Sequence, residues 1–422
     1  MPLIKDIKFG MQKLSYIDLF AGCGGLSEGF AQSGLFDGIA HVEWELPMVN
    51  TLRNRLVEKW GYAAENAKKS VIHFDIQKSD ELLNGKWSEE SRAIFGQSNH
   101  EDVMAQGLHG LVQGRSVDVV IGGPPCQAYS IAGRAQDKNS MKDDYRNYLF
   151  ESFVKVVDAF QPKLFVFENV PGILSAKPGD KPVIERIFEA FSEIGYEIKA
   201  PEKLKEAQYT ASDFGVPQKR NRIIIIGVRK DTGIDLETVY QAVDAEKTHQ
   251  IKTVRDAIAG LPAFYPLKEV SRATGRKVSH QGTGTAVPLH QPRYHNADDI
   301  QIFQQWVGKN MNRLPNEEKI SFYNKLKGKT SRHAKYRSLD WDLPSPTIVA
   351  HLYKDGLMFI HPDAEQARSI TVREAALLQS FPQDYTFCGS SGYCYKMIGN
   401  AVPPLMAEKI ATGISKFLGT SI

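Results

Sequence analysis

The chain has 422 residues, with 52 Lys and Arg against 49 Asp and Glu and a hydrophobic fraction of 42%. Balanced charge and ordinary apolar content exclude an intrinsically disordered chain, and average Gly and Pro usage excludes collagen-like or low-complexity sequence. At roughly 150 residues per domain, the length predicts two domains or one large domain with an insertion.

Cysteine usage and hydropathy indicate the cellular compartment in which the protein is expected to work. The four cysteines, at positions 23, 126, 388 and 394, are too few for a disulfide framework and form no CxxC pair. No metal site is expected, because zinc would require histidine ligands and no histidine spacing typical of zinc sites is present. No apolar run has the length of a signal peptide or of a membrane-spanning helix. We therefore expect a protein of the reduced cytosol that does not enter a membrane.

The first half of the chain alternates between strand and helix patterns. Apolar runs predict strands at 14–20, 38–43, 71–74, 118–121, 164–167 and 222–228. Helical patterns occur at 26–32, 47–60, about 145–160 and 182–195. Strands that alternate with helices predict a parallel sheet in a doubly wound α/β layer. The segment 77–117 is polar and only loosely patterned, so it is interpreted as an inserted helical or loop segment without an assigned function.

After Arg229 the strand–helix alternation stops. Residues 230–345 are rich in loop signals and predict a second, smaller domain. Order returns near 368, where Thr371 and Glu374 stand at capping-box spacing before a helix over 371–380, and a closing helix is predicted over 404–417.

Positive charge is concentrated in the second domain. Residues 271–338 carry thirteen Lys and Arg against four Asp and Glu, a net charge of +9, which leaves −6 for the rest of the chain. A basic segment on a slightly acidic body is typical of a nucleic-acid-binding face. A solvated basic surface is the alternative.

A glycine turn follows the first strand. Gly22 and Gly24 would let a ligand approach the backbone at a helix N-terminus. Ser27 occupies the place of the last glycine in the dinucleotide fingerprint, so that motif is absent. Glu43, at the end of the second strand, is placed to accept ribose hydroxyls, and Asp75 an adenine amino group. The pattern predicts an adenosine-containing cofactor; the alternative is a tight turn without a ligand.

A cysteine and a glutamate follow two later strands. The sequence Gly-Gly-Pro-Pro precedes Cys126, and because proline fixes φ, the thiol is presented on a rigid arm, as a nucleophile requires. A buried core thiol is the alternative, although this sequence is poor core material. Glu168 ends the neighbouring strand, where a carboxyl group in an apolar setting retains its proton and acts as a general acid. A structural glutamate is the alternative.

Two further motifs complete the set. Arg220 and Arg222 are two residues apart, so in a strand they point to one face, and their guanidinium groups suit phosphate or a base carbonyl. Ordinary strand-end charge is the alternative. Gly399-Asn400, before two prolines, predicts a turn and a helix N-terminus.

In this order, the blocks DLFAGCGG, GGPPCQAYS, FENV, QKRNR, TVREAALLQSFP and GNAVPP resemble the cytosine-C5 methyltransferase family over nearly the whole chain. The resemblance implies a Rossmann-like, doubly wound mixed sheet, the fold of S-adenosylmethionine-dependent methyltransferases. It implies a catalytic domain at 1–229 plus 393–422 and a target-recognition domain at 230–392.

The resemblance also implies roles for individual residues. Cys126 would attack C6 of cytosine, Glu168 would bind and protonate N3, and Arg220 and Arg222 would support the nucleophile and contact the base. S-adenosylmethionine would be the cofactor and S-adenosylhomocysteine the product, with no metal. The implied cofactor positions are Phe20, Gly22, Gly24, Glu43, Trp44, Asp75, Ile76, Pro125, Asn400 and Val402. The implied nucleic-acid contacts are Gln127, Ser130, Gln218 and Arg373.

The implied reaction requires that the target base leave the duplex. The first block begins at about residue 16, which favours a stand-alone methylase of a restriction–modification system over a multidomain chromatin enzyme. Double-stranded DNA is the expected partner, a restriction endonuclease the functional counterpart, and a monomer the expected state.

Three alternatives remain. The tRNA-methylating branch shares every catalytic block, but its recognition region is generally compact. A catalytically inactive homologue is disfavoured because Cys126, Glu168 and both arginines are present. A nicotinamide oxidoreductase is disfavoured by Ser27 and by the Pro-Pro-Cys arm.

Overall fold

A computed structural model of the chain describes residues 13–125, 149–178, 181–273, 275–328, 330–354 and 356–419. Three predicted site residues, Cys126, Gln127 and Ser130, lie outside the described residues. Within the described ranges, no helix is both long and apolar enough to cross a membrane.

The strands alternate with helices through the first half of the chain. The strands are β1 Leu14–Leu19, β2 Phe36–Glu43, β3 Val71–His73, β4 Val119–Gly122, β5 Leu164–Asn169, β6 Tyr196–Glu197, β7 Gln208–Thr210, β8 Gln218–Lys219, β9 Asn221–Arg229, β10 Phe264–Ala273, β11 Arg276–Gly282 and β12 Ser345–Pro346.

The helices fall into a larger region, residues 13–244 and 402–419, whose core includes the main sheet, and a smaller region, residues 254–400. They are α1 Gly25–Gln32, α2 Leu46–Glu58, α3 Ala64–Ser70, α4 Ser79–Asn84, α5 Glu89–Phe95, α6 Glu101–Val112, α7 Leu149–Phe160, α8 Val183–Glu193, α9 Leu236–Asp244, α10 Val254–Ile258, α11 Ala297–Gly308, α12 Asn316–Lys327, α13 Val372–Leu378, α14 Ser391–Asn400 and α15 Pro404–Leu418.

The main sheet has the order β3-β2-β1-β4-β5-β9-β6, with β7 paired to β9. Strands β1 to β5 pair in parallel, whereas β9 runs antiparallel to β5, β6 and β7. The predicted doubly wound mixed α/β sheet is confirmed. Strand order reverses between β1 and β4, and in such sheets ligands bind beyond the carboxyl ends of the strands at that position.

The apolar runs form strands because they are buried by helices on both faces. The four isoleucines at 223–226 are fully buried in β9. The capping box predicted at Thr371 and Glu374 is present at the start of α13. Both predictions rest on patterns that local geometry determines.

The segment 77–117, interpreted from the sequence as an inserted helical or loop segment, forms three short helices, α4, α5 and α6, at the β3 edge of the sheet. Trp87 stacks on Phe74 with ring centroids 4.1 Å apart. Two of these helices are only six or seven residues long, so they show too few turns for a clear period of 3.6 residues.

Both predicted domain boundaries, at 229–230 and 392–393, stay predictions, and two structural features lie across them. Helix α9, assigned to the smaller domain, buries Val239 and Val243 in the core of the larger region, and the Tyr240 hydroxyl donates to the Ile224 carbonyl. The boundary at 392–393 falls inside α14. The strand–helix alternation stops at Arg229, but burial of apolar surface against the sheet continues beyond it.

The smaller region has its own core and shares a second one with the larger region. Its own core surrounds Trp306 and Phe303, above the β10–β11 hairpin. The shared core joins Cys23 and Met48 of the larger region to Ile348, Ala375 and other residues of 254–398. The two regions therefore meet through buried apolar side chains.

Candidate active site

A cavity of about 210 Å³ opens beyond the carboxyl ends of β1, β2, β4 and β5 and beside β3. Predicted cofactor residues line it: Phe20, Gly22, Glu43, Trp44, Asp75, Ile76, Pro125, Asn400 and Val402. Gly24 does not line it, although its neighbours Cys23 and Gly25 do. Glu168 and Arg222 line the same cavity. The structure thus brings together the residues predicted for the cofactor and two of those predicted for chemistry.

The glycine loop turns sharply between β1 and α1. Phe20, Gly22 and Gly24 have φ angles of 58°, 58° and 88°, in the left-handed region. A non-glycine residue such as Phe20 is held there only by its surroundings, and such strain clusters at functional sites. At Gly24 a Cβ atom would lie 2.6 Å from a Leu52 methyl group, which explains the glycine without a ligand.

Beneath this loop, Ser27 accounts for the missing fingerprint glycine. Its hydroxyl donates to Asp18 Oδ2 at 2.5 Å and lies 2.8 Å from His41 Nδ1. Burial raises the pKa of Asp18 to about 7 and lowers that of His41 to about 4. This buried network ties α1 to β1 and β2 and fixes the base of the loop.

Glu43 connects the end of β2 to the glycine loop. Its carboxylate accepts hydrogen bonds from the backbone of Gly22, Trp44 and Glu45 at 2.8–2.9 Å. Burial raises the pKa of Glu43 above its ordinary value, although these N–H groups oppose the shift. The carboxylate is thus held in one orientation beside the cavity, with lone pairs remaining for a hydroxyl ligand.

The segment that precedes Cys126 lies against Glu168. Gly122 pairs with Phe167 in parallel, and the Asn169 amide donates to the Pro124 carbonyl at 3.3 Å. A Cβ atom on Gly123 would lie 2.5 Å from Glu168 Oε2, so glycine leaves room for that carboxylate. The sequence placed Glu168 at the end of the strand next to the Gly-Gly-Pro-Pro arm. The described part of the arm, which ends at Pro125, lies beside Glu168 as that placement requires.

Glu168 forms an ion pair with an arginine, which differs from the purely apolar setting expected from the sequence. Arg222 Nε lies 2.6 Å from Glu168 Oε1, and both side chains are about 10% exposed. Arg222 Nη1 also donates to the Asn221 carbonyl at 2.7 Å. The carboxylate is therefore oriented by a charge-assisted hydrogen bond.

Arg220 has different partners. Its Nη1 donates to the Ile348 carbonyl and its Nη2 to the Gly399 carbonyl, both at 2.9 Å. The strand is interrupted at Arg220, between β8 and β9, so the simple alternation expected for the two arginines does not apply. Arg220 links the smaller region to the turn before Asn400.

Two residues predicted to contact nucleic acid, Gln218 and Arg373, are buried in this structure. Gln218 is fully buried, and its amide contacts Gln379 and the backbone of Ile348 and Leu378. Arg373 is 1% exposed and donates to the carbonyls of Pro288, Pro382 and Tyr385. These polar groups are satisfied inside the protein, and their assignment to DNA stays a prediction.

The sequence predicted a turn and a helix N-terminus here; a helix does begin at Pro404, but the turn predicted for Gly399 and Asn400 is absent. These residues form the last turn of α14 rather than a free turn, and Asn400 ends that helix at the cavity. Two contacts here were not predicted. Gln379 donates to the Ala401 carbonyl at 2.6 Å, and Lys396 contacts both oxygens of Glu45 at 2.7 Å. Both join sites more than twenty residues apart, so no local sequence pattern indicates them.

Taken together, the described site has an acidic and an aromatic wall suited to an adenosine group, and a fixed glutamate–arginine pair at the other end. A purine base and a ribose suit the aromatic and carboxylate side chains, respectively. Among the described residues, no cluster of three or more His, Cys, Asp or Glu is arranged to hold a metal ion.

Known proteins resemble the chain over nearly its whole length. The type II methyltransferase M.Bpa9945I of Bacillus paralicheniformis is 35% identical over 454 aligned positions, which cover 94% of this chain and 98% of that protein. The type II methyltransferase M1.HphI of Haemophilus parahaemolyticus is 33% identical over 427 positions, which cover 99% and 92%, respectively.

Solved structures share the fold. A prophage-encoded E. coli protein assigned as a DNA modification methyltransferase is 26% identical, with a TM-score of 0.56 and coverage of 96% of this chain and 99% of that one. Dnmt2 of S. pombe, at 15% identity, has a TM-score of 0.52 over 96% of this chain. The family model of C-5 cytosine-specific DNA methylases matches residues 14–416. With that match and these relatives, the chain belongs to the C-5 cytosine-specific DNA methylase family and is a cytosine-C5 DNA methyltransferase.

Proposed function

We propose that this enzyme transfers a methyl group from S-adenosylmethionine to C5 of a flipped-out cytosine in a specific double-stranded DNA sequence, as the methylase of a type II restriction–modification system. The observation that supports this most is the Glu168–Arg222 ion pair beside the Gly-Gly-Pro-Pro arm, in the cavity that the predicted cofactor residues line. Relatives named as type II methyltransferases support the biological context.

In the proposed mechanism, the Cys126 thiolate adds to C6 of cytosine while Glu168 donates a proton to N3, so that C5 becomes an enamine carbon. Arg222 holds the Glu168 carboxyl group in the orientation that meets N3. The bound S-adenosylmethionine supplies the methyl group that C5 accepts. Water takes the proton from C5, the thiolate of Cys126 leaves C6, and N3 returns its proton to Glu168, which restores the aromatic ring and the enzyme.

The residues of the cavity fit the cofactor. Glu43 is oriented to accept from ribose hydroxyls, Asp75 from the adenine amino group, and the exposed Trp44 indole offers a stacking face. Asn400 and Val402 would close the site from the side of α14. Residence in the cytoplasm, a monomeric state and pairing with a restriction endonuclease belong to the same proposal.

The test is transfer of labelled methyl from S-adenosylmethionine to unmethylated duplex DNA and, separately, to bulk tRNA. We expect label in DNA as 5-methylcytosine within one short sequence, which methylation-aware sequencing would identify. Label in tRNA alone would assign the protein to the tRNA-methylating branch. Label in neither, with cofactor still bound, would support an inactive homologue.

The basic segment 271–338 is expected to contact DNA phosphates. Within 325–337, the basic side chains differ in exposure and ion pairing. Lys327 is paired with Asp299 at 2.9 Å and Arg337 is half-buried, whereas Lys325, Arg332 and Lys335 are exposed. Replacing these three exposed residues with glutamine should weaken DNA binding. It should also reduce the slope of log K against log salt by about one for each phosphate that the variant no longer neutralises.

The matched control replaces Lys203, Lys205 and Lys230, three exposed lysines of the larger region. Lys230 follows the end of β9, at the edge of the sheet opposite the cavity, because β9 runs antiparallel to β5. The salt slope of this control should match the wild type. An unchanged slope in the test variant would exclude the stretch 325–335 from the DNA-binding face.

A further inference from the structure

The inserted segment 77–112 has no role in the chemistry described above, yet it completes the edge of the sheet. The Asn99 side chain accepts from the His73 backbone N–H at 2.9 Å and donates to the His73 carbonyl at 2.7 Å. An edge strand such as β3 otherwise leaves such groups unpaired. Asn99 is buried, so its amide replaces a neighbouring strand at this point.

The same segment supports one wall of the cavity. Phe74 lines the cavity, and its ring contacts Trp87 and Phe95 of the segment, with centroids 4.1 and 5.2 Å apart. Phe95 also packs edge-on against the His73 ring at 5.1 Å. Two aromatic side chains of the segment therefore lie directly behind the cofactor pocket.

His73 connects this support to Trp44. Its Nε2 lies 2.9 Å from the Trp44 carbonyl and its Nδ1 lies 2.6 Å from the Ser98 hydroxyl. A carbonyl oxygen only accepts, so Nε2 carries the hydrogen of the neutral ring. The Ser98 hydroxyl also lies 2.8 Å from the Phe95 carbonyl, and its single hydrogen can go either to that carbonyl or to Nδ1 of His73. Burial lowers the pKa of His73, which favours this neutral form.

Trp44 depends on these bonds because little packing holds it. Its side chain is 55% exposed, although it lines the cavity. Its N–H donates to Glu43 Oε1 at 2.9 Å and its carbonyl accepts from His73. These two bonds hold the backbone at Trp44, from which the indole extends beside the cavity.

We propose that His73 is a positioning residue and that the segment 77–112 is a brace for the cofactor site, which together hold Trp44 where its indole contacts the adenosine of the cofactor. The inference rests on the proposed function, since it takes the cavity as the S-adenosylmethionine site. Without the brace, the free-energy cost of ordering Trp44 would weaken cofactor binding. The proposal assigns a task to a segment that otherwise has none.

The test is the affinity of the full-length enzyme for S-adenosylmethionine and S-adenosylhomocysteine, measured by calorimetry, together with steady-state kinetics. His73→Phe keeps the ring against Phe95 and removes both hydrogen bonds. We expect His73→Phe to bind the cofactor about tenfold more weakly, which is the order of magnitude of one lost hydrogen bond. The KM for S-adenosylmethionine should rise by a similar factor, and kcat should stay within about twofold of the wild type. His73→Gln, which keeps a donor near the position of Nε2, should restore binding to within about threefold.

His109→Phe is the matched control, because His109 is an exposed histidine of the same segment whose ring lies against Phe160. It should bind the cofactor like the wild type.

If His73→Phe binds like the wild type, or if His73→Gln fails to restore binding, the proposal is overturned. If His73→Phe does not fold, Ser98→Ala decides: we expect about threefold weaker binding, and unchanged affinity would overturn the brace. A wild-type enzyme that binds no S-adenosylmethionine would refute the proposed function instead.

Discussion

Cys126→Ala should abolish methyl transfer, with a loss of at least about four orders of magnitude in kcat, while S-adenosylmethionine still binds. The reason is that C5 of cytosine is a poor nucleophile until a thiolate has added to C6, and alanine has no group to add. Cofactor binding should persist because the substitution leaves the predicted cofactor residues of the cavity, such as Phe20, Glu43 and Asp75, unchanged. Single-turnover methyl transfer and calorimetry measure the two effects separately.

Cys388→Ala is the matched control for this prediction. Cys388 is a free, partly buried cysteine whose sulfur accepts from the Asn54 amide, and it does not line the cavity. A duplex with fluorine at C5 of the target cytosine cannot lose a C5 proton, so it should trap the wild type and Cys388→Ala as covalent complexes. Methyl transfer by Cys126→Ala, or a trapped adduct on that variant, would refute the assignment of the nucleophile.

Glu168→Gln should lower kcat by about 10²–10⁴-fold, the usual contribution of a general acid, with little change in DNA affinity. The amide oxygen of glutamine can still accept from Arg222 Nε, so the local geometry should be retained while the proton donor is removed. Rapid-quench measurement of methyl transfer and a DNA-binding isotherm distinguish the two effects.

Glu237→Gln is the corresponding control, because Glu237 is also an ion-paired glutamate, bonded to Lys199 at 2.6 Å, but it is exposed and does not line the cavity. Its kinetics should match the wild type. If Glu168→Gln has the kcat of the wild type, Glu168 takes no part in the reaction. If DNA affinity and rate fall by the same factor, Glu168 acts in DNA binding rather than in chemistry.

The sequence was sufficient where local patterns determine the structure. Apolar runs located β1, β2, β3, β4, β5 and β9 to within a few residues, because a strand buried on both faces consists of consecutive apolar side chains. The capping box at Thr371 was identified because both of its partners lie within four residues. The positions at strand ends followed from the rule that ligands bind at the carboxyl edge of such sheets.

The sequence was insufficient where a side chain depends on distant partners. Gln218 was assigned to DNA, yet its amide contacts Gln379, 161 residues away. Arg222 is paired with Glu168 across an antiparallel strand pair that the sequence pattern did not reveal. The strand–helix rhythm ended the larger region at Arg229, whereas helix α9 beyond it is buried against the sheet, a contact that the sequence pattern does not show.

The shared apolar core has a consequence for engineering new specificities. Exchanging the recognition domain as the block 230–392 would remove Ile348 and Ala375 from the shared core. Cys23 and Met48 of the host enzyme would then be exposed to water. A smaller graft within about 264–338 leaves the buried residues of that core in place and replaces only Leu289, which packs against it. It must still supply side chains that match Ile360 and Ala367, against which Trp306 and Phe303 are packed. In this enzyme the segment that can be exchanged is therefore smaller than the recognition domain. Its limits depend on whether a residue packs in the shared core or in the core of the smaller region.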